Sequence, residues 1–243
     1  MNYRMTGYLL GIILLIEAVL MALPLGVSIY FREDPMPFII TIAILLVISL
    51  PSTIFKPKDT QIYAKEGFIT VSAGWILMSL FGSLPFVLSG DIPNFIDAFF
   101  ETVSGFTTTG ATILTEIESL PRGILFWRSF THWIGGMGVL VFMLAILPSA
   151  NGQTMHLMRA EVPGPTKGKL VPKMRHTALI LYAIYICLTI IQIFALLLCG
   201  LPAYDSMVTA FGTAGTGGFS GCWRRQAYLL QGRGTGYGND HHG

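Results

Sequence analysis

Asp97-Ala98-Phe99-Phe100-Glu101-Thr102-Val103-Ser104-Gly105-Phe106-Thr107-Thr108-Thr109-Gly110-Ala111-Thr112 is the stretch on which the reading of this chain turns. From Asn94 to Phe106 it is too apolar for a solvated connection and too short to cross a bilayer. An apolar run of about 10–14 residues reads as a re-entrant helix. The Thr/Gly segment behind it reads as irregular backbone, which membranes tolerate only where it is buried in protein or lines a watery cavity. The same design returns at Asp205, followed by the apolar Ser206 to Phe211 and then Gly212-Thr213-Ala214-Gly215-Thr216-Gly217-Gly218-Phe219-Ser220. Aligning Asp97 with Asp205 without gaps, an offset of 108 positions, places Thr108 on Thr216, Gly110 on Gly218 and Thr112 on Ser220. Internal repeats of this kind mark transporters and channels.

The surroundings agree. Of the 243 residues, 53% are hydrophobic and 12% charged, with a mean hydropathy of +0.64. A soluble domain carries about 25% charged residues, so a soluble enzyme is excluded. A net charge of +2 without a basic, aromatic-interleaved run excludes a nucleic-acid partner. Cys187, Cys199 and Cys222 form no CxxC pair, which argues against a metal site or disulfide framework. Five stretches are long and apolar enough to span: about Tyr8–Tyr30, Pro37–Phe55, Phe68–Leu88, Ile124–Leu147 and Ala178–Leu201. The chain is thus expected to be an all-α membrane protein whose surface meets membrane lipid. The first span is too long for a cleaved signal and reads as an anchor. Lys56, Lys58 and Lys65 follow span two, and Arg159, Lys167, Lys169, Lys173 and Arg175 follow span four. Positive-inside bias makes that side cytoplasmic. The acidic loops, with Glu33, Asp34, Asp91, Asp97, Glu101, Glu116 and Glu118, then lie outside.

The chemistry of a dehydrated alkali cation suits the Thr/Gly segments. Its water shell must be replaced by oxygens, and channel filters supply them from the backbone of a Thr-Val-Gly-Tyr-Gly loop. Thr108-Thr109-Gly110 has the same Thr-x-Gly start, as has Thr216-Gly217-Gly218. Glycine permits backbone angles closed to other residues, and the C-terminus of each short helix favours a cation. The candidate potassium-binding residues are therefore Thr108, Thr109, Gly110, Thr216, Gly217 and Gly218, acting through backbone carbonyls, with no organic cofactor. Thr213-Ala214-Gly215-Thr216-Gly217 mimics the channel signature by eye, but the gap-free register selects Gly218. An enzyme is disfavoured, because His132, Asp97 and Arg128 come with no HExxH, GxSxG or aspartate-rich motif.

At these residues the chain resembles the Trk/Ktr/HKT superfamily of potassium transporters, and most of all its Trk-type membrane subunit. The resemblance runs through Asp97–Glu101, Ser104–Thr112, Phe126-Trp127-Arg128, Trp133–Gly138, Ala145–Pro148, Arg159–Pro165 and Thr216–Ser220, and covers about residues 1–220. It implies two leading transmembrane helices followed by four helix–pore-loop–helix repeats around one pore. It also implies potassium uptake across the bacterial inner membrane, a homodimer, and a cytoplasmic nucleotide-binding regulatory subunit. On that plan residues 1–60 are the leading pair and 61–150 the first repeat. Residues 151–177 form a cytoplasmic loop, 178–220 begin the second repeat, and 221–243 read as an aberrant polar tail. The chain then holds about one and a half of the four repeats, an incomplete version of the subunit. The alternative is a non-conducting membrane fragment that only packs against other chains.

Other residues carry plainer expectations. Gly135, Gly136 and Gly138 are expected to allow close helix packing. Glu17, inside the first span, is expected to be a satisfied structural contact. Arg128 is expected to snorkel to the outer interface, and His132 and Trp133 to act as interfacial anchors. Asp97 and Glu101 read either as cation attractors at the outer mouth or as capping and solvating groups of the short helix. Arg159 to Arg175 reads as an ordinary positive-inside loop before it reads as a docking site for the regulator.

Overall fold

The computed structural model describes residues 3–54, 57, 64–117, 119–138 and 170–218, with backbone alone at 64–66 and 170–176. The described residues form helices α1 (Tyr3–Leu20), α2 (Ala22–Tyr30), α3 (Met36–Ile54), α4 (Ala64–Gly82), α5 (Leu84–Ser89) and α6 (Phe95–Phe106), then α7 over 122–138, α8 (Leu170–Leu198) and α9 (Ala203–Ala214). Among the described residues, four helical stretches are long and apolar enough to cross a membrane: Tyr3–Tyr30, Met36–Ile54, Gly67–Ser89 and Thr177–Leu198. They correspond to the first, second, third and fifth expected spans. The fourth expected span begins as α7, and its remainder, 139–147, lies outside the described residues. So do the inner loop as far as residue 169, Phe219, Ser220 and the polar tail.

Two of the spans are interrupted for the same reason. Proline offers no N–H to the carbonyl four residues back and its ring crowds that carbonyl. Pro24 follows the break at Met21 between α1 and α2, and Pro85 follows the break at Ser83 between α4 and α5. The Ser83 hydroxyl donates to the Leu80 carbonyl and satisfies an acceptor at the second break. Chain direction changes at Gly90, whose φ of 81° closes α5 in the left-handed conformation.

α1 packs along α3 and α4, and α6 lies between α4 and α5. The shared core holds Leu14, Met21, Phe38, Leu45, Phe86, Phe106, Trp127, Phe130 and Val208. Trp127 on α7 is wholly buried, and its indole N–H donates to the Gly82 carbonyl at 2.8 Å. Phe126, Phe130 and Trp133 of α7 also stack around Phe211 of α9, with ring centroids 5.4–5.7 Å apart. α7 is therefore the element that both short helices share. By contrast, only 6% of the apolar stretch of α8 is buried, and Ile184, Leu188, Ile191 and Phe194 are exposed.

The ends on the acidic side meet. The Glu33 carboxylate accepts from the backbone N–H groups of Arg122 (2.8 Å) and Gly123 (2.9 Å), filling donors that the first turn of α7 leaves open. The Arg122 guanidinium lies over the rings of Phe31 (4.3 Å) and Tyr204 (5.6 Å), and the Tyr204 hydroxyl donates to the Arg122 carbonyl. This staple joins the α2–α3 turn, the start of α7 and the start of α9 on the side the charge pattern assigns to the outside.

Candidate functional site

The short helix that opens the deciding stretch is α6. Asn94 caps it, its side chain accepting from the Ile96 N–H at 3.0 Å, and Asp97 sits in its first turn, where a negative charge complements the helix dipole. Its partner is α9, which ends at Ala214, 108 positions after Phe106. The backbone leaves both helices alike. Thr107 N–H bonds to Val103 (2.8 Å) and Thr108 N–H to Gly105 (3.0 Å). At the same offset, Gly215 N–H bonds to Phe211 (3.0 Å) and Thr216 N–H to Thr213 (2.9 Å).

The backbone angles repeat as well. Thr108 and Thr216 have φ of 57° and 59°, and Gly110 and Gly218 have φ of 77° and 71°. A β-branched residue in the left-handed region is an outlier that only a determined surrounding can hold. Among the described residues the other non-glycine with positive φ is Arg32. In both copies φ is positive, then negative, then positive over the Thr-x-Gly triplet. Thr213 and Ala214, which begin the channel-like signature seen by eye, belong to α9.

The two triplets touch. A Cβ added to Gly110 would overlap the carbonyl oxygen of Gly217 and lie 3.5 Å from its Cα. Both segments are partly open, with Thr109, Thr216 and Gly218 exposed and Thr108, Gly110 and Gly217 half-buried. The Thr107 hydroxyl donates to the Val103 carbonyl at 2.7 Å and lies 2.8 Å from the Thr109 hydroxyl.

Behind the first triplet is an ionic support. Glu101, 1% exposed, accepts from Arg128 Nε at 2.6 Å, from the Thr112 hydroxyl at 2.9 Å and from the Ile113 N–H at 3.2 Å. One carboxylate thus ties α6, α7 and the strand beyond Gly110. This corrects two expectations. Arg128 does not snorkel: it is 1% exposed and paired with Glu101. Glu101 neither faces the outer mouth nor caps α6, because burial demands a counter-charge and the nearest one is on α7. The Ser104 hydroxyl adds a bond to the Ala111 carbonyl at 2.6 Å.

Around the second triplet the support is steric. A Cβ on Gly136 would approach the Gly215 Cα at 3.2 Å, and one on Gly217 would overlap the His132 imidazole. A Cβ on Gly135 would overlap the Phe106 carbonyl, and one on Gly138 would lie 2.8 Å from the Trp75 ring. The glycines of α7 serve close packing, as expected. His132 and Trp133 do not sit at an interface: His132 is wholly buried, and the Trp133 indole N–H donates to the Thr189 hydroxyl at 3.2 Å. Glu17 also departs from its expected role. It is wholly buried and, among the described residues, both of its carboxylate oxygens lack a hydrogen-bond partner. Its Oε1 would lie 3.1 Å from a Cβ on Gly82, a point that Thr102 and Phe106 also approach.

The sequence singles out both triplets but not what stands behind them. The signal for the Glu101–Arg128 pair was present, since an acid and a base at one membrane depth are normally partners. No comparable signal marked His132. Among the described residues no group of three or more His, Cys, Asp or Glu gathers as for a transition metal.

Comparison with known proteins follows the same lines. The chain is 37% identical over 228 residues to the Trk system potassium uptake protein TrkH of Salmonella typhimurium, covering 90% of this chain and 46% of that protein. It is 34% identical over 223 residues to the Trk system potassium uptake protein TrkG of Escherichia coli K12, with the same coverage. The crystal structure of the potassium transporter TrkH from Vibrio parahaemolyticus superimposes with a TM-score of 0.77 at 33% identity, covering 91% of this chain and 45% of that one. The chain spans about half the length of the relatives it matches. Residues 36–223 match the model of the family described as TrkH, cation transport protein, a range that includes both touching triplets, and this multi-span membrane chain belongs to that family of transporters rather than to any class of enzyme.

Proposed function

We propose that the chain takes part in potassium transport across a bacterial inner membrane, as part of the membrane subunit of a potassium uptake system. Its first repeat (61–150) and the start of its second (178–220) would each contribute one strand of a carbonyl-lined filter. The observation that carries this reading is the repeated sign pattern of φ at Thr108-Thr109-Gly110 and Thr216-Gly217-Gly218, in strands whose glycine backbones touch. A strand whose φ alternates in sign turns successive carbonyls toward one side. Such a row of neutral oxygens replaces the hydration shell of an alkali ion and still lets it leave. The triplets carry no carboxylate that would hold the ion too firmly. Two strands wall half of a fourfold filter, and further repeats of the same kind would supply the rest. A homodimer and a nucleotide-binding regulator on the cytoplasmic side belong to the same proposal, on the strength of the family alone.

Flux measurements test it. The chain is reconstituted in vesicles and rubidium and sodium uptake are compared, with Gly110→Ser beside it. Because the chain walls half of a filter, the proposal expects rubidium uptake in the parent where a second copy supplies the other half. It expects a loss of preference over sodium in the variant, because a side chain there meets both a positive φ and the Gly217 carbonyl. Equal preference in the two proteins would overturn the filter assignment. A chain that inserts and folds but carries no rubidium would support the alternative, a non-conducting fragment.

A further inference from the structure

We infer that His132 is the positioning residue that sets the spacing between the two filter triplets, and that through this spacing it governs discrimination between potassium and sodium. The inference rests on the filter reading above and goes beyond it, since His132 lies on α7 and on neither triplet.

Three observations converge on this side chain. First, the ring stands where a side chain on Gly217 would be: a Cβ there would overlap Nε2, Cδ2 and Cε1 of the imidazole. Gly217 does not have a positive φ, so its backbone would accept an alanine. The imidazole is what excludes one. Second, the same residue supports the turn before the triplet, because a Cβ on Gly215 would come within 2.7 Å of the His132 carbonyl carbon and 3.0 Å of its Cβ. Third, the imidazole interacts with the backbone of Ser104. Ser104 anchors the first loop twice over, its carbonyl accepting from Thr109 N–H at 3.0 Å and its hydroxyl donating to Ala111. One wholly buried ring therefore bears on the second triplet directly and on the first through Ser104.

The contact between Gly217 and Gly110 completes the geometry. The Gly217 carbonyl abuts Gly110, and the ring stands where a Gly217 side chain would be. Strand two thus meets both the imidazole and strand one. A cation site built from backbone oxygens distinguishes ions by how far its oxygens can close or open. Removing the distal edge of the ring frees Gly217 to move away from Gly110, and the better-fitting ion then loses its advantage. In a close-packed interior such a gap is not filled by neighbours without displacement.

The test uses the whole chain in detergent and reads thermal unfolding in KCl, RbCl and NaCl at equal ionic strength. A bound ion raises Tm according to its concentration relative to its Kd, so the readout does not require conduction. Gly110→Ser, His132→Ala, His132→Asn, Gly217→Ala and the double variant His132→Ala/Gly217→Ala are measured beside the parent. His132→Asn keeps a polar side chain and removes only the distal ring edge, which guards against a failure of the alanine variant to fold. The parent is expected to unfold at higher temperature in potassium than in sodium. His132→Asn and His132→Ala are expected to keep the parent's Tm in sodium within a few degrees and to bind potassium about tenfold more weakly, seen as a displaced dependence of Tm on potassium concentration. Gly217→Ala is expected to lower Tm in every salt, and the double variant to recover most of that loss.

If both His132 variants retain the parent's potassium preference while Gly110→Ser loses it, the role of His132 is overturned and the filter reading stands. That role is equally overturned if removing the ring brings no recovery to Gly217→Ala. If the parent shows no potassium preference, the filter reading fails and the inference fails with it.

Discussion

The two Thr/Gly loops share a backbone and differ in what holds it. Both leave their short helices through the same pair of hydrogen bonds, and both carry positive φ at Thr-x-Gly in the same register. Yet the first is held by charge. Glu101 reaches Arg128, the Thr112 hydroxyl and the Ile113 N–H. The residue at the matching position of the second helix is Thr209, whose carbonyl accepts from the Thr213 hydroxyl within the helix. There the loop rests on packing against Gly136 and His132. A backbone conformation can thus be repeated while its support is not. The repeat preserves the Thr-x-Gly backbone, and each copy finds its own way of bracing that backbone against the one α7 they share.

Breaking the ionic brace gives the largest expected effect. Glu101→Ala leaves the Arg128 guanidinium buried without its carboxylate, and removing one partner of a buried pair costs about 3–5 kcal/mol. Chemical unfolding in detergent should show a loss of that order, whereas Thr209→Ala should cost about 0.5 kcal/mol or less. Similar losses at the two positions would mean that the loops are braced alike after all.

Packing comes next. A Cβ on Gly135 meets the Phe106 carbonyl, so Gly135→Ala should destabilise by about 1–3 kcal/mol, as overpacking does. Gly26, on α2, has nothing near its Cβ position, and Gly26→Ala should leave Tm unchanged or slightly raised. The contrast sharpens the claim that α7 is where both loops meet the rest of the molecule.

Glu17 gives a smaller effect of opposite sign. An acid buried without a hydrogen-bond partner among the described residues carries an uncompensated desolvation cost of about 1–3 kcal/mol. Glu17→Gln should therefore unfold at the same or a higher temperature than the parent. A clear loss of stability would show that the carboxyl serves the seat of α6 in some specific way.

The smallest effect concerns only the outer approach to the first loop. Burial is the main cause raising the Asp91 carboxyl above its ordinary range, with the nearby Glu33 adding to it and a hydrogen bond from Ser89 opposing it. The folded chain then binds this proton more tightly than the unfolded one. Stability is lost as pH rises from the ordinary carboxylate value through the raised one. Asp91→Asn should give a slightly higher Tm at neutral pH, and the gain should vanish in acid.

Much of this was legible in the residues. Apolar runs of membrane length announced the spans, since a helix in lipid must satisfy its own backbone and shed its charges. The proline breaks at Pro24 and Pro85 sat inside two of those runs, and there the spans bend. The two short helices were visible because α6 and α9 are apolar yet too short to cross. Arg128, His132 and Trp133 were misread for one reason. Each was assigned to the water interface from its place near a span's end, and depth along a helix says nothing about which neighbour fills the space beside it.

Composition, charge asymmetry and the offset of 108 positions suffice to establish a multi-span helical membrane protein with a duplicated Thr/Gly loop, because these features are local or periodic and survive in a linear string. Three-dimensional packing alone shows that Gly110 meets Gly217 and that His132 stands behind them. It also shows that one loop is braced by charge and the other by shape. Such contacts join residues many positions apart through a single side chain each. They leave no period to detect, and become visible only when helices are brought close enough for a missing Cβ to matter.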